Sequence, residues 1–344
     1  MSVVIDGIIF SLQRHGGISV YFHQLLARLQ RDGVCACLTL DGQALQSVPK
    51  AEGSMTVVQR SGRLAERYRR SRRIAGGSVF HSSYYRLPDR PGLPTVVTVH
   101  DFTYERCIQG PRRWAHSAQK YAAIRAAQAV ICVSEATRQD LLELVGVGPA
   151  QQVYVIYNGV AAGFQPESHP VVARPFVLFV GQRGGYKNFR LVAEAMILLP
   201  DIELLCVGGG PFEPQEFRGL PQTTRDRIRH LGFVDDHDLN RLYNQALCLA
   251  YPSSYEGFGI PVIEAMKAGC PVVCIQCKAV VEIGQGALSI AAPDPTALAQ
   301  KIGGVASPQA RAALAQAGLE VAKRYDWEQT YRKTLQVYSS VAAQ

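Results

Sequence analysis

In "VGQRGGYKNFRLVAEAM" (residues 180–196), two cations, Arg183 and Lys187, fall where the apolar run "PFVLFVG" gives way to helically spaced residues. Positive side chains at such a turn suit an anion. A second stretch, "AYPSSYEGFGIPVIEAMKAGCPVV" (250–273), reads as a strand ending at Tyr251, a Ser/Gly-rich loop, and a helix opened near Pro261, whose fixed φ suits a first turn. The backbone N–H groups of Gly257, Phe258 and Gly259 approach that helix start, where unpaired donors and the helix dipole bind phosphate. Glycine there lets a bulky diphosphate near the main chain. Glu256 and Glu264 flank the same terminus. Carboxylates repel phosphate, so they read as acceptors for hydroxyls on either side of it, those of a sugar ring and a ribose. The plainer alternative is that both acids complement the helix dipole.

Other groups have weaker signals. His100 follows the strand "TVVTV" and so lies at its C-terminal end, where a His can act in acid–base chemistry or, equally well, be a buried structural residue. Gly16 and Gly17 precede a helical pattern at 18–31, as an approach for phosphate or acceptor or as a plain tight turn. "DDHD" (235–238) has a D-x-D spacing, but it opens a helical pattern where Asp is the ordinary cap, so no metal is expected. "VGGGP" (207–211) is not G-x-G-x-x-G followed by a helix and argues poorly for a dinucleotide. Cys274 and Cys277 form a C-x-x-C without a second pair, so core packing is the expected role.

The elements that position these groups alternate. Strand patterns at 2–6, 34–40, 78–81, 95–99, 129–133 and 153–156 are nearly all apolar, with helical patterns at 17–31, 112–128 and 134–145 between them. Residues 158–175, rich in Gly, Pro and small residues, read as a linker. The alternation then restarts, with strands at 176–181, 202–207, 231–234, 247–251 and 271–275 and helices at 187–199, 222–230, 236–246 and 260–268. Two doubly wound α/β domains follow, 1–157 and 176–325, facing a cleft at the strands' C-terminal ends. Residues 326–344 read as a final amphipathic helix returning toward the N-terminal domain.

Composition agrees with a globular chain of 47% hydrophobic and 19% charged residues, and no apolar run approaches the 18 residues of a membrane span. The start "MSVVIDGIIF" carries Asp6 in its apolar run and reads as a first strand, not a secretory signal. Nine cysteines in apolar settings suggest reduced thiols in the cytoplasm. The net charge of +8 belongs wholly to residues 1–157 (19 Lys+Arg, 11 Asp+Glu); residues 158–344 hold 17 of each. Seven arginines in "RSGRLAERYRRSRR" (60–73) suggest an anionic surface, lipid head groups before nucleic acid, against the alternative of a solvated helix face.

The E-x7-E of "EGFGIPVIE" with "AMKAGCPVV" resembles the retaining GT-B glycosyltransferases of family 4, which include bacterial O-antigen mannosyl- and rhamnosyltransferases. "RHGGISVYFHQLLARL", "VVTVHDFTYE", "VICVSEATRQDL", "VYVIYNGV", "FVGQRGGYKNF" and "LGFVDDHDLNRLYNQA" carry the resemblance through nearly the whole chain. It implies a GT-B fold, a nucleotide-sugar donor and no cofactor or metal. Lys187 and Arg183 would hold the donor diphosphate opposite Gly259, although many relatives space this pair more widely. Glu264 would meet the ribose, Glu256 the hexose, His100 the sugar near its anomeric centre, and the loop at Gly232–Val234 the base. The implied function is transfer of mannose or a related deoxyhexose from a GDP-sugar to a lipid-linked glycan at the inner face of the cell membrane. UDP-sugars stay open, as do a nucleotide-sugar epimerase, a dinucleotide-dependent oxidoreductase and a nucleic-acid binder.

Overall fold

Runs of Val, Ile, Leu and Cys too apolar to face water form two wholly parallel sheets, each covered on both faces. The computed structural model describes residues 1–13, 16–45, 48–72, 76–167 and 174–343. It divides into two units, Met1–Gly159 with Trp327–Gln344, and Val160–Asp326. In the first unit β1 (Ser2–Asp6), β2 (Cys35–Asp41), β3 (Met55–Arg60), β4 (Val79–Ser82), β5 (Thr95–Val99), β6 (Ala129–Cys132) and β7 (Gln152–Val155) lie in the order β3-β2-β1-β4-β5-β6-β7. In the second, β8 (Phe176–Val180), β9 (Glu203–Val207), β10 (Ile228–Gly232), β11 (Cys248–Tyr251), β12 (Val272–Ile275) and β13 (Leu288–Ala291) lie in the order β10-β9-β8-β11-β12-β13. Both are Rossmann-like. Strand order reverses between β1 and β4 and between β8 and β11, and loops that part at such a point leave a crevice above the strand ends.

Helix Gly17–Arg31 packs Phe22, Leu26 and Leu29 over Val3 and Ile5 of β1. The last helix, Trp327–Ala342, belongs to this same unit although the second unit precedes it in the chain. Its Trp327, Tyr331, Tyr338 and Val341 join the first core, each contributing roughly 1.5–3 kcal/mol on burial. The Tyr338 hydroxyl pairs with His81 Nδ1 at 2.5 Å, and Glu328 accepts from Arg31 at 2.9 Å. In the second unit Phe179, Phe189, Val192, Met196, Leu204 and Ile302 form the core. No helix among the described residues is long and apolar enough to cross a membrane.

The structure differs from the sequence pattern in several places, and helices Lys278–Gly284, Pro295–Val305 and Pro308–Ala322 were not foreseen. The edge strands β3 and β13 were not apparent, because half-exposed edges carry little apolar signal. Helix 222–230 shrinks to Gln222–Arg225, and β10 begins at Ile228 instead of 231. Arg227 enforces that break: its guanidinium donates to the Met196, Leu199 and Ile202 carbonyls at 2.6–2.9 Å, capping the preceding helical turn. The linker pattern 158–175 lies partly in residues 168–173, outside the described residues; the units meet in sequence at Gly159 and Val160.

The arginine-rich stretch 60–73 is neither a solvated helix face nor a uniformly basic surface. Among its described residues Glu66–Tyr68 alone is helical, as one 3-10 turn. At the C-terminal ends of β1, β2 and β3 a buried charge network gathers part of it. Arg86, 1% exposed, reaches Asp41 at 2.7 Å, Glu66 at 3.4 Å and Asp6 at 3.6 Å. Arg60 and Arg72 approach Asp41 at 3.8 and 3.7 Å, and Arg63 pairs with Glu66 at 2.7 Å. Arg69 and Arg70 stay exposed on carbonyl partners, those of Leu64 and Pro88, beside exposed Tyr68 and Leu64. Arg73 lies outside the described residues.

Burial raises the Asp6 carboxyl to about 6; Arg86 lowers it, and Asp41 and Glu66 raise it. A folded value above the usual 3.8 means that the folded state holds the proton longer, so this group's stabilising contribution is present at low pH and declines as pH climbs from about 4 through 6. At about 1.4 kcal/mol per pKa unit, the decline is about 3 kcal/mol. Denaturant unfolding of Asp6→Asn should therefore lose that pH dependence, its stability rising relative to the natural protein between pH 4 and 7.5. Parallel stability curves over that range would sink the assignment.

Candidate active site

The second unit's switch point carries the acids and bases singled out above. After β8 the chain turns at Gly181 (φ 122°), passes Arg183 and makes a 3-10 turn, Gly185–Lys187. Asn188 then takes a left-handed φ of 51° and starts helix Phe189–Ala195. Its side-chain amide donates to the Pro252 carbonyl at 2.9 Å, and Ser254 N–H donates to the Tyr186 carbonyl at 2.9 Å. The loop after β8 is thus stitched to the loop after β11. Lys187 Nζ donates to Glu256 Oε1 at 2.6 Å, 3.5 Å from the Tyr251 hydroxyl and 5.3–5.4 Å over the rings of Tyr186 and Tyr251. Both partners are mostly covered, at 14% and 12% exposure. The pair joins one candidate from each motif.

Gly259 is the N-cap of helix Ile260–Lys267 at φ 107°, a conformation L side chains rarely adopt; a Cβ there would also meet Val280 and Ile283 at 3.4 Å. The helix has no side-chain cap and no acid in its first turn, so its positive dipole end faces no carboxylate there. Phe258 is buried against Tyr325, ring centroids 5.7 Å apart, so this residue offers a ligand its backbone only. Gly257 completes the loop. Glu264, half-buried one turn into the helix, accepts from the Tyr243 hydroxyl at 3.2 Å. Burial lifts its carboxyl to about 7, Asp236 adding to the effect and Tyr243 opposing it. Half-buried Val234 follows β10, and Phe233, inside the loop that the resemblance places at the base, stands beside it 66% exposed.

Arg183 is placed differently from Lys187. Its Nε donates to Glu216 at 2.7 Å, Nη2 to the carbonyls of Gly210 (2.6 Å) and Pro211 (2.9 Å), and Nη1 to that of Gly208 (3.3 Å). The guanidinium lies 4.6 Å over Phe212. A Cβ on Gly209 would come within 2.9 Å of it, so the "VGGGP" run is the wrapping of a buried arginine. Glu216, Phe212 and Asn188 escaped the sequence reading; an Asn before a helix start was the one local signal, since Asn tolerates left-handed backbone. Asp235 caps its helix by accepting from Asp238 N–H at 2.8 Å. Cys274 and Cys277 are buried free thiols.

In the first unit, His100 directly follows β5. Its Nε2 is buried with no hydrogen-bond partner among the described residues, and its ring meets Tyr21 edge-on at 5.2 Å. Burial, reinforced by Lys120 and opposed by Asp101, lowers it to about 4, so the imidazole is neutral near pH 7. His81, one strand away, has both ring nitrogens bonded, to Tyr338 and to Thr98 (2.8 Å), and is a structural histidine. Asp101 caps Thr103 N–H at 2.8 Å. Gly16 is the N-cap of helix Gly17–Arg31, again without a side-chain cap or a first-turn acid. Its φ of 172° is ordinary extended backbone, and a Cβ there would meet only the end of the flexible Gln13 side chain. Arg14 and His15 of "RHGG" lie outside the described residues.

Two parallel-sheet Rossmann-like domains with phosphate-type helix starts at the strand ends define a GT-B glycosyltransferase. Residues 15–163 match Glycosyltransferase Family 4 and residues 174–307 match Glycosyl transferases group 1. The chain belongs to this family of glycosyltransferases. It is similar to O-antigen chain mannosyltransferase B of Escherichia coli, 29% identical over 282 residues that span 76% of this chain and 74% of that protein. Among solved structures it resembles sucrose-phosphate synthase from Thermosynechococcus elongatus, with a TM-score of 0.76 at 20% identity over 100% and 99% of the two chains. Anabaena HepE in complex with UDP and glucose gives a TM-score of 0.74 at 19% identity over 99% and 100%. At such identities the structural likeness speaks for the fold.

Lys187→Ala should weaken nucleoside diphosphate binding by about 1.5–3 kcal/mol, the worth of a charge-assisted hydrogen bond, as read by calorimetry; unaltered affinity would leave Lys187 as no more than the counter-ion of Glu256. Glu264 gives a pH test. A group at about 7 in the unliganded protein should lose its proton on binding a ribose that donates to it, so diphosphate affinity should rise from pH 6 to 8. Glu264→Gln should flatten that rise, and an equally steep rise in the variant would rule the carboxyl out.

Proposed function

We propose that this chain is a retaining hexosyltransferase that moves mannose or a related deoxyhexose from a GDP-sugar to a lipid-linked glycan in O-antigen or polysaccharide synthesis. The observation that carries the proposal is the Lys187–Glu256 pair at the switch point, next to a helix start without a side-chain cap or first-turn acid. A diphosphate outcompetes one carboxylate for Lys187, and Glu256, released from its counter-ion, accepts hydroxyls of the donor hexose. Backbone N–H groups at Gly257–Gly259 and the helix dipole add to the stabilisation of the departing diphosphate, which requires no metal. Arg183, tied to Glu216, supports the diphosphate loop from behind. Glu264 takes the ribose and the Val234 loop borders the base.

Neutral His100 offers its unpartnered Nε2 to the sugar as a hydrogen-bonding group. By resemblance to the family, the acceptor hydroxyl attacks on the face from which the diphosphate leaves, and a donor phosphate oxygen takes its proton. Gly16 and Gly17 start a helix suited to an anionic portion of the bound substrates. Exposed Leu64, Tyr68, Arg69 and Arg70 form the part of residues 60–73 left to meet an anionic membrane surface at the cytoplasmic face. Similarity to an O-antigen mannosyltransferase favours GDP-mannose; the UDP complex of HepE keeps a UDP-sugar as the second reading.

Thermal shift with GDP, UDP, ADP, TDP and NAD, each with and without EDTA, tests the donor class. Selective stabilisation by GDP that EDTA does not alter is the expected result. Stabilisation by UDP would move the assignment to the second reading, and stabilisation by NAD alone would end it.

A further inference from the structure

Behind His100 lies a desolvated ion pair. Lys120, on helix Pro111–Ala126, is 0% exposed. Its Nζ donates to Glu105 Oε2 at 2.8 Å and to the backbone carbonyl of Asp101 at 3.0 Å, and it lies 4.6 Å over the ring of Phe102 and 5.4 Å over that of Tyr85. The other oxygen of Glu105 accepts from the Ser117 hydroxyl at 2.7 Å. Lysine is almost never fully buried unless paired. A pair this dry contributes little net stability compared with apolar side chains of the same size. Folding energy therefore gives no sufficient reason for it, whereas its place does: it ties one helix to the residue directly after His100.

The two strand-end histidines sharpen the contrast. The ring of His81 is fixed by hydrogen bonds from both nitrogens. The ring of His100 leaves Nε2 open, so its position depends on the backbone and charges around it. We propose that Lys120, clamped by Glu105, is a positioning residue of the transfer reaction: it fixes the Asp101 carbonyl, and with it the end of β5 that leads into His100. The inference rests on His100 as a sugar-contacting group. Among the described residues, Tyr21 and Phe22 from helix Gly17–Arg31, His81 from β4, Tyr85, Asp101 and Lys120 face His100, and of these Asp101 and Lys120 carry charge. The Lys120 charge acts on both neighbours at once. It opposes protonation of His100, and with the Thr103 N–H it outweighs the burial that would otherwise raise Asp101.

Lys120→Met/Glu105→Leu removes both charges at nearly constant volume, so the fold is retained. In that variant the NMR titration of the His100 ring should move upward from about 4. Turnover of the nucleotide sugar, followed as donor hydrolysis of GDP-mannose or UDP-glucose according to which diphosphate stabilises the protein, should fall on the order of 10- to 100-fold with the donor KM little changed. Lys120→Gln, neutral but still able to donate to the Asp101 carbonyl, should show the same upward titration while recovering part of the turnover. An unmoved His100 titration with turnover intact in both variants would overturn the proposal. His100→Ala separates the two layers of the argument: full turnover there would remove the sugar-side role of His100 itself, and the positioning role of Lys120 with it.

Discussion

A parallel strand buried on both faces can hold polar groups only at its ends. Many of the charges in this protein obey that constraint, whereas Glu105, Lys120 and Glu264 stand on helices. Asp6, Asp41 and Arg60 end β1, β2 and β3; His100 follows β5; Lys187 and Glu256 lie in the loops after β8 and β11. The reversal of strand order then selects among the strand ends, because the loops on either side of it leave in opposite directions. In the second unit that selection brings Lys187 to Glu256 across 69 residues of sequence. The site proposed above thus lies where apolar strands, kept dry along their length, come to an end.

The same chemistry serves two ends in one chain. Arg86 and Arg183 are buried and enclosed by carboxylates and carbonyls, and they hold loops to strand ends. Lys187, among the described residues, pairs with one carboxylate, that of Glu256. Among the histidines, His81 is satisfied and His100 is not. What separates a structural group from a reactive one here is how completely its hydrogen-bonding capacity is used, since an unused buried donor or acceptor keeps a standing preference for a ligand.

Much of the fold was readable locally. The strands at 2–6 and 95–99 and the helix at 17–31 coincide with β1, β5 and Gly17–Arg31, because continuous apolar runs and a 3.6-residue period are properties of short segments. The edge strands β3 and β13 were not readable, being half-solvated and hence mixed in composition. The arginine run at 60–73 misled in a similar way. Counting charge along the chain cannot tell Arg63 on Glu66, or Arg72 near Asp41, from Arg69 and Arg70 in solvent.

By itself the sequence determined two α/β units, the loop-to-helix turns at Gly16, Gly184–Lys187 and Gly257–Gly259, and the E-x7-E spacing that placed Glu256 before a helix and Glu264 within it. Each is encoded within about ten residues, where backbone torsion and side-chain period govern. Tertiary structure alone decided that Lys187 meets Glu256, that Glu216 and the Gly208–Pro211 carbonyls claim Arg183, that Phe258 turns into the core, and that Lys120 reaches Glu105 beneath His100. Those outcomes depend on which strands become neighbours and on how little water reaches their ends, and both are settled by packing of the whole sheet.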